Sequence, residues 1–182
     1  MGLKGRQAMP RGGGRGSGRA TALTPARAGA AVTLSARAKK ETDAAAEEVR
    51  ALGVAALAVP ADVGKAQDVK ALFAAARKDL GPVDILVNGA GIAPSAPLPR
   101  TSDEMWDQVM AVNLSGVFYG LREALPEMTS RGWGRVVNIA SIAGKSAMPY
   151  IAAYVASKHG VLGLTKVAAL EVALKGVTVN AI

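Results

Sequence analysis

An α/β fold with a parallel sheet is what this sequence predicts, on three observations. Short runs rich in β-branched residues alternate with alanine-rich helical stretches from residue 20 onward. Strands separated by helices of this length imply parallel crossover units, with a sheet covered on both faces. Glycine, asparagine, aspartate and serine gather at 11–18, 36–37, 62–63, 88–91 and 141. Those are the carboxyl ends of the predicted strands, where ligands sit in such sheets.

Each element has its own warrant. AAVTLSA (30–36) reads as a buried strand, and KKETDAAAEEVRALG (39–53) as a helix closed by Gly53. VAALAVPADV (54–63) reads as a second strand. AQDVKALFAAARKDLG (66–81) is a helix with Val69, Leu72, Phe73 and Ala76 on one face. VDILVNGAG (83–91) is a strand running into glycines, and a long helical region follows Ser102 or Asp103, with Trp106, Val109, Met110, Val112 and Val117 at helical spacing. GRVVNIAS (134–141) is a strand, YVASKHGVLGLTKVAALEVA (154–173) a helix, and VTVNAI (177–182) a last strand. No repeat or heptad pattern competes, so the 182 residues read as one domain.

The composition narrows the chemistry. With no cysteine and a single histidine, His159, disulfides and Cys/His zinc sites are excluded. His159 reads as a solvated helix residue. No run of 18 apolar residues suggests a membrane span, and nothing resembles a secretory leader, so a cytoplasmic location is expected. The charge is lopsided: Lys4, Arg6, Arg11, Arg15, Arg19, Arg27, Arg37, Lys39 and Lys40 precede the first acid, Glu41, while the remainder carries 13 basic and 14 acidic groups. Whatever anion this charge serves binds near the N-terminus.

RGGGRGSGR (11–19) admits two readings: a basic RNA-binding arm, or a loop folded around a phosphate. It lacks repeated RGG units and interleaved aromatics, and a helix and a strand follow at crossover spacing. The phosphate loop is the better reading. Gly12, Gly16 and Gly18 would let backbone approach a pyrophosphate at a helix N-terminus, where free N–H groups and the positive dipole end favour anions. Nucleic acid is therefore not expected as a partner.

Tyr154 and Lys158 stand at i and i+4, on one face of a helix. A free tyrosine titrates near ~10, and an adjacent ammonium favours its phenolate. Such a tyrosine can act as general acid for ketone reduction or general base for alcohol oxidation. A lone Y-x-x-x-K also occurs as a surface pair on ordinary helices. Ser141, at the tip of the preceding strand, makes the pair more informative.

Together, GGGRGSG, the NGAG at 88–91, Asn113, Ser141 and YVASK at 154–158 resemble the short-chain dehydrogenase/reductase family, in unbroken register from about Leu3 to Ile182. VNLSGVFYGLREALPEM and the basic loop are most similar to 3-oxoacyl reductases and related 3-hydroxyacyl dehydrogenases. The resemblance implies a Rossmann-type doubly wound parallel sheet and hydride exchange between a nicotinamide cofactor and a small carbonyl or alcohol substrate. The catalytic residues it implies are Asn113, Ser141, Tyr154 and Lys158. Ser141 would hydrogen-bond the carbonyl oxygen, and Asn113 would hold a water linking the lysine to solvent. For the cofactor it implies Gly12, Arg15, Gly16, Ser17, Gly18, Arg37, Asp62, Val63, Asn88, Ala90 and Gly91, together with Tyr154 and Lys158. Asp62 would meet the adenine, although a strand-end turn accounts for it equally well.

Cofactor choice follows from charge. NAD binders place an acid about 20 residues after the glycines to hold the ribose 2′-hydroxyl. Ala36 and Arg37 stand there, with Arg15 in the loop. Two guanidiniums suit a 2′-phosphate and no carboxylate opposes it, so NADP(H) is favoured over NAD(H).

Several positions depart from the family pattern. Its first strand falls on RQAMPR, where Pro10 cannot donate to a ladder and argues against a central strand. Arg11 replaces a threonine that ties this strand to the 88–91 loop, Ser17 replaces a plugging isoleucine, and Gly89 an asparagine. Pro25 falls inside the first helix, at a cost of ~3 kcal/mol for a helix interior. The sequence stops before the family's substrate lid and last strand, so the sheet is expected to lack that strand. The family's homo-oligomer is expected only of a full-length form. Two readings stay open: an NADP(H)-dependent reductase or dehydrogenase, and a non-catalytic remnant, weakly folded, that binds nucleotide or a partner chain.

Overall fold

The computed structural model describes residues 2–14 and 16–182, so Arg15 lies outside the described residues. Six parallel strands form one sheet in the order β3-β2-β1-β4-β5-β6. The strands are β1 (Gln7–Arg11), β2 (Ala31–Ala36), β3 (Ala56–Pro60), β4 (Ile85–Asn88), β5 (Gly134–Asn138) and β6 (Val177–Ala181). Between them run α1 (Gly16–Arg27), α2 (Lys39–Arg50), α3 (Ala66–Leu80), α4 (Asp103–Met110), α5 (Gly116–Ser130) and α6 (Ala152–Val172). Strand order reverses between β1 and β4, which opens a crevice at their carboxyl ends. This is the doubly wound α/β architecture expected, six strands included.

Two apolar clusters hold the layers together. The larger joins Met9, Leu86 and Val136 of the sheet to Leu72 and Phe73 of α3, Met128 of α5 and Val172 of α6. The smaller packs Val32 and Leu34 against Ala22 and Ala26 of α1 and Val49 of α2. At the other end of the strands, buried Asp84 accepts from Arg6 (3.1 Å), Arg131 (2.6 Å) and the Gln7 N–H (2.9 Å), fixing where β1 enters the sheet.

Pro10 does not abolish the central strand. β1 is fully buried and pairs with β4 through Ala8, Met9, Pro10 and Arg11. Its ladder to β2 matches only Gln7, Ala8 and Arg11. Gly12 N donates to Ser35 O at 2.8 Å, so the two-residue repeat of a parallel ladder puts Pro10 N opposite the Thr33 carbonyl. The defect is one missing bond on one side of a strand held from both sides. Pro10→Val is therefore expected to stabilise the protein by about 1 kcal/mol, the net worth of one backbone hydrogen bond, read as a higher urea midpoint.

Pro25 is also absorbed. It stands in the last turn of α1, where it removes the one bond that would reach the Thr21 carbonyl, and its own carbonyl accepts from Ala28 (3.1 Å) and Ala30 (3.0 Å) as the chain turns into β2. α1 nonetheless runs unbroken to Arg27, with Ala22 and Ala26 packed against Val32, Leu34 and Val49.

Candidate active site

The loop after β1 and the loop after β4 meet at the switch point. Gly12 has φ +88°, and a Cβ there would lie 2.9 Å from Ala90 backbone atoms. A Cβ at Gly18 would overlap the Gly12 carbonyl oxygen, so α1 closes onto the loop only without a side chain. Residues 11–14 are thus a strand end and a turn, and residues 16–19 a helix start, not a free arm. The first turn of α1 carries no acid, leaving its N-terminal N–H groups and positive dipole end open to an anion.

Beside this loop lies a cleft of about 380 Å³, walled by Gly12, Gly14, Ala36, Arg37, Asp62, Val63, Ala90, Gly91 and Ile92 among others. Six predicted residues come together here: Gly12, Arg37, Asp62, Val63, Ala90 and Gly91. Asp62 lines the cleft, and its carboxylate also accepts from Gly64 N at 3.0 Å, the contact of a strand-end turn. Gly16, Ser17 and Gly18 stand at the start of α1, outside the cleft wall. Asn88 turns inward: it accepts from Arg11 at 2.9 Å and donates to Asn138 at 2.8 Å. Glu41, from the first turn of α2, also lines the cleft, so the expectation that no carboxylate opposes the arginines does not hold.

Arg11 replaces the lost threonine tie with one of its own. Its guanidinium donates to Asn88 and to the Gly116 carbonyl (2.8 Å), and Gly89 N donates back to the Arg11 carbonyl at 3.1 Å. The group is 2% exposed, and burial pulls its pKa down to about 10.

The second cluster sits on α6 and on a π-helical turn, Ala111–Ser115, between α4 and α5. Such turns are frequent at functional sites. Here it carries the buried Asn113, whose amide clamps both backbone groups of Ile92 (2.9 and 2.8 Å) and donates to Ser157 Oγ at 3.2 Å. Ser157 in turn donates to the Tyr154 carbonyl at 2.7 Å. One side chain thus joins the cleft wall to the helix bearing Tyr154.

Lys158 is buried, and burial lowers its pKa. Its ammonium donates to the Ile139 carbonyl at 2.6 Å and lies 5.5 Å from the Tyr154 ring centre. It also approaches the cleft, since a Cβ on Gly91 would lie 3.9 Å from Nζ. Tyr154 is half-buried. Ser141 Oγ accepts from Ala143 N at 3.1 Å, which leaves its own hydrogen to donate elsewhere. His159 is exposed, and its ring Nδ1 lies 3.0 Å from the Val155 carbonyl.

The family model for short chain dehydrogenases matches residues 8–182. The chain belongs to the short-chain dehydrogenase family. It is 44% identical over 169 residues to a D-beta-hydroxybutyrate dehydrogenase of Rhizobium meliloti, covering 92% of this chain and 66% of that protein. It is 40% identical over 178 residues to a 3-oxoacyl-[acyl-carrier-protein] reductase of Staphylococcus aureus, covering 97% of this chain and 72% of the relative. The chain thus spans about two thirds of the length of these relatives. A crystal structure assigned as a short-chain alcohol dehydrogenase from Sinorhizobium meliloti superposes with a TM-score of 0.95 at 33% identity, over 99% of this chain and 71% of that one.

In this member of the family, two residues of the candidate site escape a reading of the sequence. Ser157 lies inside YVASK, but nothing in a linear motif says that a serine between Tyr154 and Lys158 is buried and bonded to Asn113. Glu41 had a signal, being the first acid of the chain, in the first turn of the helix after β2. Tyr150, just before α6, is a further feature without a sequence signal. It has φ +68°, the one positive φ outside glycine among the described residues, and its carbonyl accepts from Ala96 N at 2.8 Å.

Proposed function

We propose that this chain is an oxidoreductase moving hydride between a nicotinamide dinucleotide and a carbonyl or secondary alcohol, with 3-oxoacyl or 3-hydroxyacyl compounds as the substrate class. The observation that carries this reading is the approach of the Lys158 ammonium to Gly91, a wall of the glycine-built cleft. A nucleotide site and an acid–base pair thereby share one boundary. The names of the two relatives, a 3-oxoacyl-[acyl-carrier-protein] reductase and a D-beta-hydroxybutyrate dehydrogenase, both describe compounds with the oxygen on the β-carbon, which supports the substrate class.

Gly12, Asp62, Val63, Ala90 and Gly91 would hold the adenosine side, and the start of α1 at Gly16, Ser17 and Gly18 would meet the pyrophosphate. The cleft fits such a group because Gly12 and Gly14 leave its floor without side chains. A dinucleotide held there would supply or take up the hydride. Tyr154 gives its proton to the carbonyl oxygen, and Ser141 donates a hydrogen bond to the same atom as charge develops. Lys158, held by the Ile139 carbonyl, keeps positive charge beside the tyrosine ring. Asn113 acts through Ile92 and Ser157, setting helix against cleft.

NADP(H) is the favoured cofactor on this reading, because Arg37 stands on the cleft wall at the end of β2, with Arg15 in the loop. A charge-assisted hydrogen bond is worth about 1.5–3 kcal/mol, so Arg37→Ala should weaken NADPH roughly 10-fold or more while NADH changes little. Equal losses for both would defeat the phosphate assignment. Self-association belongs to the same reading: Phe118 of α5, Val167 and Leu170 of α6, and Leu174 just beyond it are exposed, apolar surface that a second copy would cover. The deciding assay follows NADPH and NADH consumption with acetoacetate and a short 3-oxoacyl thioester. No consumption of either nucleotide with either substrate would overturn the proposal.

A further inference from the structure

Glu41 is a carboxylate in a cleft otherwise set up for a phosphate. It stands in the first turn of α2, whose N-cap, Ala38, has no side chain able to cap the helix. The residue is half-buried and faces the same spot as Ala36 and Gly14. A Cβ on Gly14 would lie 3.2 Å from the Ala36 Cβ, 3.3 Å from the Glu41 Cβ and 3.5 Å from its Oε2. Lys39, two residues before it, is occupied by Asp43 at 2.6 Å, and Glu41 has no ion-pair partner among the described residues.

Ala36 ends β2, where an acid would hold a ribose 2′-hydroxyl. The strand end supplies no carboxylate, but α2 reaches back and supplies one at the same place. We propose that Glu41 is a specificity-determining residue that accepts hydrogen bonds from the adenosine ribose hydroxyls and counteracts the preference for a 2′-phosphate created by Arg37. The chemistry is direct. A carboxylate accepts from a hydroxyl and repels a phosphate, and two groups of opposite charge on one wall pull the selection in opposite directions. The chain would accordingly accept both NADP(H) and NAD(H), with a narrow ratio between them. This inference rests on the nucleotide reading of the cleft.

The test is titration of the purified chain and of Glu41→Gln with NADPH, NADH, 2′,5′-ADP and 5′-AMP. The amide is isosteric and keeps an acceptor at the same helix position, and far-UV circular dichroism confirms that α2 persists. Glu41→Gln is expected to tighten NADPH and 2′,5′-ADP about 3- to 10-fold and to weaken NADH and 5′-AMP by a similar factor, since one charge is exchanged for a neutral partner. Glu41→Asp, which withdraws the carboxylate by one methylene, should fall between the two. Affinities that stay within twofold, or that all move together, would overturn the role of Glu41 while leaving the cleft as a nucleotide site. Failure of the unmodified chain to bind any of the four would remove the nucleotide reading and this inference with it.

Discussion

Tyr154→Phe is expected to lower the rate of carbonyl reduction by roughly 100- to 10,000-fold, the usual contribution of a positioned general acid. The substitution removes one oxygen from a half-buried ring on α6 and leaves the glycine loops untouched. Nucleotide affinity should stay within about twofold, so the loss should fall on kcat and not on binding. Single-turnover oxidation of NADPH in a large excess of 3-oxoacyl substrate separates the two. A variant retaining more than a tenth of the parent rate would remove Tyr154 from the proton-donating role.

Gly120→Ala is expected to cost about 3 kcal/mol of stability, at the upper end for overpacking a core. A Cβ at this position on α5 would overlap Arg11 Nη1 and lie 2.7 Å from Asn88 Oδ1. Arg11 has nowhere to retreat: its guanidinium is buried, bonded to Asn88 and Gly116, and its Nε has no partner among the described residues. Displacing it would leave a buried charge without its hydrogen bonds, which is among the most destabilising single changes. Gly120 is thus the counterpart of Arg11, the space that lets an arginine stand in the middle of the sheet.

The same geometry gives a double-mutant cycle. In an Arg11→Thr background the methyl group introduced by Gly120→Ala partly fills the space the guanidinium leaves, so that substitution should then cost less than about 1 kcal/mol. A coupling of about 2 kcal/mol between two positions far apart in sequence is the expected result in urea unfolding. Additive effects would show that Arg11 moves aside without penalty. The buried relay that continues from Asn88 to Asn138 and Thr165 should weaken with Arg11 as well.

Much of the architecture was legible because it rests on local rules. Alternation of apolar runs with alanine-rich stretches located the strands and helices from β2 onward to within a few residues, and the glycine spacing at 12, 16 and 18 located the turn before α1. The Tyr154 to Lys158 interval put both side chains on one face of α6, with the ammonium 5.5 Å from the ring centre. The penalties assigned to Pro10 and Pro25 were legible too, but as isolated costs. In the folded sheet, pairing with β4 retains β1, and the burial of Ala22 and Ala26 holds α1 through Pro25 to Arg27.

What the sequence by itself determined was the fold class and the family. Periodicity and motif spacing are properties of neighbours in sequence, and they need no knowledge of what lies across the sheet. Tertiary structure alone decided which charges meet. Glu41 enters the cleft because α2 packs back over the end of β2, and Arg11 is tolerated because Gly120 faces it from α5. The first residue of that helix, Gly116, lies 105 positions along the chain from the arginine it binds. Ser157 becomes part of the site because Asn113 reaches it from a π-turn 44 residues away. Electrostatic and steric energies depend on distance in space, and at a few ångströms they exceed any local preference. A linear reading therefore finds the glycines and the Tyr154–Lys158 spacing, while the balance among the charges around them is set only when the sheet brings them together.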